Sequence, residues 1–209
     1  MDWSRIETLS EWQLIEPDAP PEEYVYLGQY SLPNYWQGNF PFKFFYYDHH
    51  LVIGKKHLAE IPDFDDLSII RKTVIHSQLE FPIQAARWFV DAIQRCFLPP
   101  DDPRAMKSGA MAFLEKVNGE WLHLTRGFHS GGHNIPGYSF ANASRRSHKK
   151  SLPKKQSLEI GDPEIFGRID GKPVISPDKF AGFMERIAER YESGEFGPPV
   201  PMKIEDSMW

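Results

Sequence analysis

The stretch GAMAFLEKVNGEWLHLTRGF, residues 109–128, carries the clearest fold signal in the chain. Two segments rich in apolar side chains flank the dipeptide Asn118-Gly119. Asn-Gly accepts the positive φ angles of a type I′ turn, the tight turn that joins neighbouring antiparallel strands. The stretch therefore predicts a β-hairpin.

Further strands are predicted on both sides of this hairpin. Segments before it are rich in aromatic and β-branched side chains and are bounded by turn-forming residues, which is typical of strands. These segments are residues 24–32, 41–54 and 68–81. After the hairpin, a third strand is predicted at 136–144, with shorter candidates at 157–161 and 171–176. The chain is thus predicted to be rich in antiparallel strands.

Two amphipathic helices follow the predicted strands. Near residues 83–97 and 177–193, apolar side chains recur at three- and four-residue steps, which places them on one face of an α-helix. Ser176 and Pro177 suit the N-cap and first position of the second helix, and Gly194 suits its C-terminal end. The pattern therefore changes from strands to a helix twice along the chain.

This order predicts an α+β protein made of two repeated antiparallel-sheet-plus-helix units, ββββα twice. The predicted organisation has an N-terminal segment, two repeats packed as one globular unit, and a flexible C-terminal tail. These parts correspond to residues 1–23, 24–100, 108–193 and 194–209. An internal duplication would explain this order.

The order of elements resembles that of the Whirly and PUR families of single-stranded nucleic-acid-binding proteins. In those families each repeat is four antiparallel strands followed by a helix. The resemblance covers roughly residues 24–193 and lies in element order alone, so it assigns no binding residue. It implies that two sheets pack together and that exposed sheet faces and loops contact the unpaired strand.

Charge is distributed unevenly along the chain. The net charge is −5, yet no Asp or Glu lies between Glu120 and Glu159. The basic residues of that segment are Arg126, Arg145, Arg146, Lys149, Lys150, Lys154 and Lys155. Residues 145–155 are called the basic loop below. Concentrated positive charge attracts polyanions, although the same residues would also serve a solvated loop.

Together these features predict non-enzymatic binding of single-stranded DNA or RNA. The basic residues, including Arg126, would neutralise phosphates and make affinity fall as salt rises. Exposed aromatic rings would stack on bases without strong sequence preference. The candidate rings are Trp36, Phe44, Tyr46 and Trp121.

Two alternatives remain open from the sequence. His123, His129 and His133 could supply proton transfer in a metal-independent nuclease. A pair four residues apart binds one metal ion on a helix, but Gly131 and Gly132 disfavour a helix there. No catalytic residue, metal ion or cofactor is therefore predicted. The second alternative is a protein-interaction adaptor whose basic loop contacts an acidic partner.

The remaining features concern location and partners. The only cysteine, Cys96, excludes an internal disulfide. The N-terminus has no secretory signal pattern, and no apolar run is long enough to span a bilayer. A cytoplasmic protein without membrane contact is therefore predicted. A homodimer, and a protein partner bound by the acidic C-terminal tail, are the further partners considered.

Overall fold

The structure is a computed structural model of the whole chain. It describes residues 6, 8–9, 12–31, 40–62, 70–98, 101–105, 112–128, 136–148 and 155–208. Within these residues the protein is a mixed α+β fold with mostly antiparallel sheets. This confirms the predicted α+β class with antiparallel sheets.

The first sheet has four antiparallel strands that follow one another in chain order. They are β1 (Val25–Tyr30), β2 (Phe42–Tyr47), β3 (His50–Pro62) and β4 (Ile70–Pro82), followed by helix α1 (Ala85–Arg95). The predicted single strand at 41–54 is wrong, because Asp48 and His49 adopt positive φ angles of 43° and 59° and form a tight turn between β2 and β3.

The second sheet contains the predicted hairpin. Its strands are β5 (Ala112–Val117), β6 (Glu120–Gly127), β7 (Gly137–Arg146) and β8 (Lys155–Gly161). Helix α2 (Asp162–Ile165), a small hairpin of β9 (Gly167–Ile169) and β10 (Lys172–Val174), helix α3 (Phe180–Glu192) and strand β11 (Ile204–Met208) follow. Asn118 and Gly119 have φ angles of 45° and 89° and join β5 to β6, which confirms the hairpin.

The C-terminal tail differs from its prediction. Residues 204–208 form β11, which pairs antiparallel with β5, so the sheet order is β11-β5-β6-β7-β8. A free strand edge on β5 offers unpaired backbone groups, and the tail satisfies them. The expectation of a flexible tail is therefore wrong for this segment. The position of Trp209 lies outside the described residues.

Helix α3 begins later than its sequence signal indicates. Residues 176–179 form a turn, in which the Lys179 amide donates to the Ser176 carbonyl at 2.9 Å. Ser176 Oγ also hydrogen-bonds to the Asp178 carboxylate. Ser176 therefore stabilises the turn before the helix, and Lys179 is the N-cap residue.

One apolar core joins both sheets to α1 and α3. Phe140 of β7 stacks on Phe81 of β4 with ring centroids 4.4 Å apart, and it also contacts Trp88 and Phe89 of α1. Phe44 of β2 is completely buried against Phe183 of α3, with ring centroids 4.7 Å apart. The helices thus cover the inner face of each sheet.

The N-terminal segment covers the outer face of the first sheet. Ile15 packs on Phe45 and Val52, and its amide donates to the side chain of Gln78 at 2.9 Å. Lys43 and Lys56 on this face form ion pairs with acidic residues of the segment. This face of the sheet is therefore covered, whereas the family resemblance implied an open one.

None of the described helices is both long enough and apolar enough to cross a membrane.

Candidate functional site

A buried polar cluster lies where the two sheets meet. It consists of Arg145 and the residues around it, which come from β3, β4, β6, β7 and the start of the basic loop. We call it the seam cluster, and its members are His50, Glu80, Glu120, Asn142, Arg145 and His148. Its geometry determines where the basic loop emerges from the two sheets.

Arg145 is the centre of the seam cluster. Its guanidinium donates to Glu120 at 2.9 and 2.7 Å and to Glu80 at 3.0 Å, and only 5% of its side chain is exposed. The predicted role of Arg145 in binding phosphate is therefore wrong, because both sheets direct a carboxylate at it. The irregular register between Asn142 and Arg146 brings this side chain to the seam.

The two carboxylates of the seam cluster are held in their ionised form. Burial raises the pKa of Glu120, but hydrogen bonds from Arg145 and His50 outweigh burial and lower it from an ordinary 4.5 to about 2. Burial likewise raises the pKa of Glu80, and contacts with His148, Gln78 and Arg145 lower it overall. Ionised carboxylates balanced by a guanidinium suit a structural role and do not supply a general acid.

The depressed pKa values predict acid lability. Since the folded carboxylates have lower pKa values than unfolded ones, their stabilisation is complete above pH 4.5 and is lost as the pH falls towards 2. We expect the thermal midpoint to fall steeply across this window. The Glu120→Gln variant should be less stable at neutral pH, but its thermal midpoint should fall less steeply as the pH is lowered. Parallel pH profiles for the two proteins would contradict this assignment.

Side-chain amides connect the edge strand β4 to the second sheet. The backbone amide of Glu80 donates to the Gln156 side chain at 2.6 Å, and the Asn142 side chain donates to the backbone carbonyl of Glu80 at 2.8 Å. Gln156 also donates to the Arg146 carbonyl at 3.1 Å. Arg146 pairs with Lys155 across β7 and β8. Both ends of the basic loop are therefore fixed to the seam.

Trp12 covers the seam cluster from the N-terminal segment. Its ring lies 5.1 Å from the Arg145 guanidinium and 4.6 Å from the His50 ring, measured to ring centroids. A guanidinium over an indole face is a favourable cation–π arrangement. The N-terminal segment, both sheets and the basic loop thus meet at one point.

Two other predicted phosphate-binding residues are exposed but lie far apart. Arg146 is exposed at the end of β7. Arg126 is also exposed, but it pairs across the strands with Tyr138. Tyr138 lies eight residues before Arg146 on β7, so Arg126 and Arg146 are roughly 25 Å apart at the usual rise per residue of a strand. Arg126 instead lies over the rings of Phe97 and Tyr138. The structure does not bring Arg126 to the basic loop.

The predicted stacking rings have different environments. Phe44 is fully buried, so its predicted stacking on a base is wrong; alternation along β2 directs it into the core. Tyr46, on the same face, is stacked on Phe196 at 5.0 Å and is only partly exposed. Trp121 is half-buried, and its amide donates to Ser144 Oγ at 2.9 Å, beside the start of the basic loop. Of these three, Trp121 alone is close to the loop.

Several predicted residues cannot be placed. Those outside the described residues are Trp36, His129, His133, Lys149, Lys150 and Lys154. The backbone of Lys155 belongs to β8, but its side chain is not described. His123 is buried on β6 beside Thr125. Within the described part of the chain, no group of three His, Cys, Asp or Glu residues could hold a metal ion.

Comparison with known proteins supplies no further guide. No protein-family model matches the chain, no curated protein is similar to it, and no solved structure matches it. The function is therefore inferred from the chemistry of its own residues.

Proposed function

We propose that this protein binds single-stranded DNA or RNA without catalysis, and that the basic loop contacts the phosphates. The observation that supports the proposal is the attachment of the loop. The seam cluster and Gln156 hold both of its ends, while Arg146 is exposed beside them. A short cationic segment held at both ends loses less conformational freedom on binding than a free tail.

The number of available charges is smaller than the sequence suggests. Arg145 is neutralised by Glu80 and Glu120, and Arg126 is distant. The cations left for phosphate binding are Arg146, Lys149, Lys150, Lys154 and Lys155. Each phosphate contact with a single strand contributes roughly 0.7 to the slope of log affinity against log salt concentration. The total slope should therefore be no steeper than roughly −3.5.

Trp121 is the aromatic residue that fits this mode of binding. It is partly exposed, and its backbone amide donates to the side chain of Ser144, the residue that precedes Arg145 and Arg146. Stacking of one base on an aromatic ring contributes about 1–3 kcal/mol. Base contact through Trp121 replaces the broad stacking on open sheet faces that the family resemblance implied.

We also infer that the two halves are diverged copies of one ββββα unit. Four antiparallel strands precede α1, and four precede α2 and α3. The helices α1 and α3 pack against each other in the shared core. On this inference α2, β9, β10 and β11 are additions to the second copy.

The test of the proposed function compares two variants with equal changes in charge. Arg146→Ala, Lys149→Ala and Lys150→Ala together should weaken binding of a labelled single-stranded oligonucleotide at low salt. The salt slope should become shallower by about 2, because three phosphate contacts are lost. The control combines Arg168→Ala, Lys172→Ala and Lys203→Ala, which are exposed residues remote in sequence from the basic loop. Fluorescence anisotropy at several salt concentrations measures both quantities.

The outcomes separate the candidate functions. Equal losses of oligonucleotide affinity in both triple variants would show that the loop contributes only as general surface charge, which would contradict the proposal. Absence of any binding by the unmodified protein would favour the adaptor. Shortening of a labelled RNA without added metal, abolished by His129→Ala, would favour the nuclease.

A further inference from the structure

A cleft lies between the N-terminal segment and the first sheet, beside Trp12. Its volume is about 590 Å³. Trp12, Tyr24 and Tyr47 form its aromatic walls. Tyr24 is stacked on Tyr47 with ring centroids 4.4 Å apart, and Trp12 meets Tyr47 edge-on at 5.3 Å. The rings hold one another in place, so the walls are formed before any ligand binds.

The charge of the cleft is negative. The described residues of its lining include Glu16, Glu23 and Asp48, and none of them is a lysine or an arginine. Glu16 pairs with Lys56, whereas Glu23 and Asp48 are exposed and form no ion pair with a described residue. Burial and the neighbouring negative groups also raise the pKa of Tyr24 to about 12. Aromatic faces next to unpaired carboxylates are the usual surroundings of a bound organic cation.

The structure already contains one such interaction at this place. The Arg145 guanidinium lies over the ring of Trp12, at 5.1 Å from its centroid. A guanidinium is planar and weakly hydrated, so it stacks on aromatic rings and pairs with carboxylates better than an ammonium does. The same chemistry is available in the cleft to a cation from another molecule.

We propose that this cleft binds an arginine side chain of a partner protein. The guanidinium lies against Trp12, Tyr24 and Tyr47 and pairs with Glu23 and Asp48. The cleft volume lies in the range of sites for small organic ligands and exceeds what one side chain needs, so residues flanking the arginine also fit. This proposal does not rest on nucleic-acid binding, because none of the described residues of the basic loop lines the cleft.

Three short peptides that differ at one position test the proposal on the full chain. The position is arginine, lysine or citrulline, and citrulline keeps the shape of arginine without its charge. Binding is followed by calorimetry and by the NMR shift of the Trp12 indole, assigned with Trp12→Phe. We expect the arginine peptide to bind most tightly and to shift that signal, the lysine peptide to bind more weakly, and the citrulline peptide not to bind.

Matched variants measure how much the two exposed carboxylates contribute to binding of the arginine peptide. Glu23→Gln combined with Asp48→Asn should lower the affinity for the arginine peptide by about five- to tenfold, which is the expected effect of losing two exposed ion pairs. The control is Glu22→Gln with Asp170→Asn, which changes charge equally. Asp48 and Asp170 both have positive φ angles, 43° and 49°, which asparagine tolerates, so the backbone is preserved in both. Equal affinities of the two variants, binding of citrulline as tight as arginine, or no arginine binding would each overturn the proposal.

Discussion

Replacing Arg145 with methionine should lower the free energy of unfolding by about 3–5 kcal/mol. Methionine retains much of the aliphatic length but removes the guanidinium that pairs with Glu80 and Glu120. Both carboxylates are almost completely buried, so each would keep a charge in the seam without the guanidinium that balances it. Breaking a buried ion pair from one side is costly for this reason, even where the intact pair contributes little net stability.

Urea denaturation of Arg145→Met and Arg146→Met measures this difference directly. Arg146 is the adjacent residue, is exposed, and should change stability by no more than about 0.5 kcal/mol when replaced. Adding Glu80→Gln and Glu120→Gln to Arg145→Met should restore part of the loss, because the unpaired charges are then removed. A loss below about 1 kcal/mol in Arg145→Met would contradict the buried ion-pair assignment.

The seam cluster links stability to the proposed function. Arg145 contributes no charge to a ligand, but it holds the start of the basic loop between the two sheets. His148 contacts Glu80 at 2.8 Å, which extends this attachment into the loop. We therefore expect oligonucleotide binding by Arg145→Met to fall indirectly, through the loop, whereas the Arg146 substitution acts through charge alone.

Local signals explain why much of the fold was predictable. The Asn118-Gly119 hairpin, the strands around it and the two amphipathic helices depend on turn chemistry and on apolar spacing within a few residues. The Asp48-His49 turn was missed because the pair lacks the glycine that usually marks a two-residue turn, and strand-forming residues continue directly up to it on both sides. Strand β11 was missed because its pairing with β5 joins residues about ninety positions apart, which no local pattern reports.

The candidate site was only partly predictable for a related reason. Arg145 and Arg146 are neighbours with the same chemistry, so the sequence does not indicate which one is buried. Glu80 lies between Leu79 and Phe81 in a predicted strand, and an acidic residue in such a setting was the available sign of a buried ion pair. Its partner could not be identified, because Arg145 belongs to the other sheet.

Replacing Gly182 with alanine is the second substitution with a large expected effect. Helix propensity alone predicts a gain of about 1 kcal/mol, since glycine is unfavourable inside a helix. The packing of α3 predicts the opposite. A Cβ atom at this position would collide with the Ser176 carbonyl oxygen and lie 2.8 Å from Pro177 Cα. Both contacts are with backbone, which cannot move aside as a flexible side chain would.

We therefore expect Gly182→Ala to lower the free energy of unfolding by about 2–3 kcal/mol, through displacement of α3 from the turn that precedes it. The control is Glu189→Ala, an exposed position in the same helix, where the change should stay within about 0.5 kcal/mol. Because Phe183 and Met184 follow Gly182 into the core, the displacement also loosens their packing. Urea denaturation of both variants checks the prediction. A stability of Gly182→Ala equal to or above that of the unmodified protein would show that α3 does not approach the turn at 176–177 this closely.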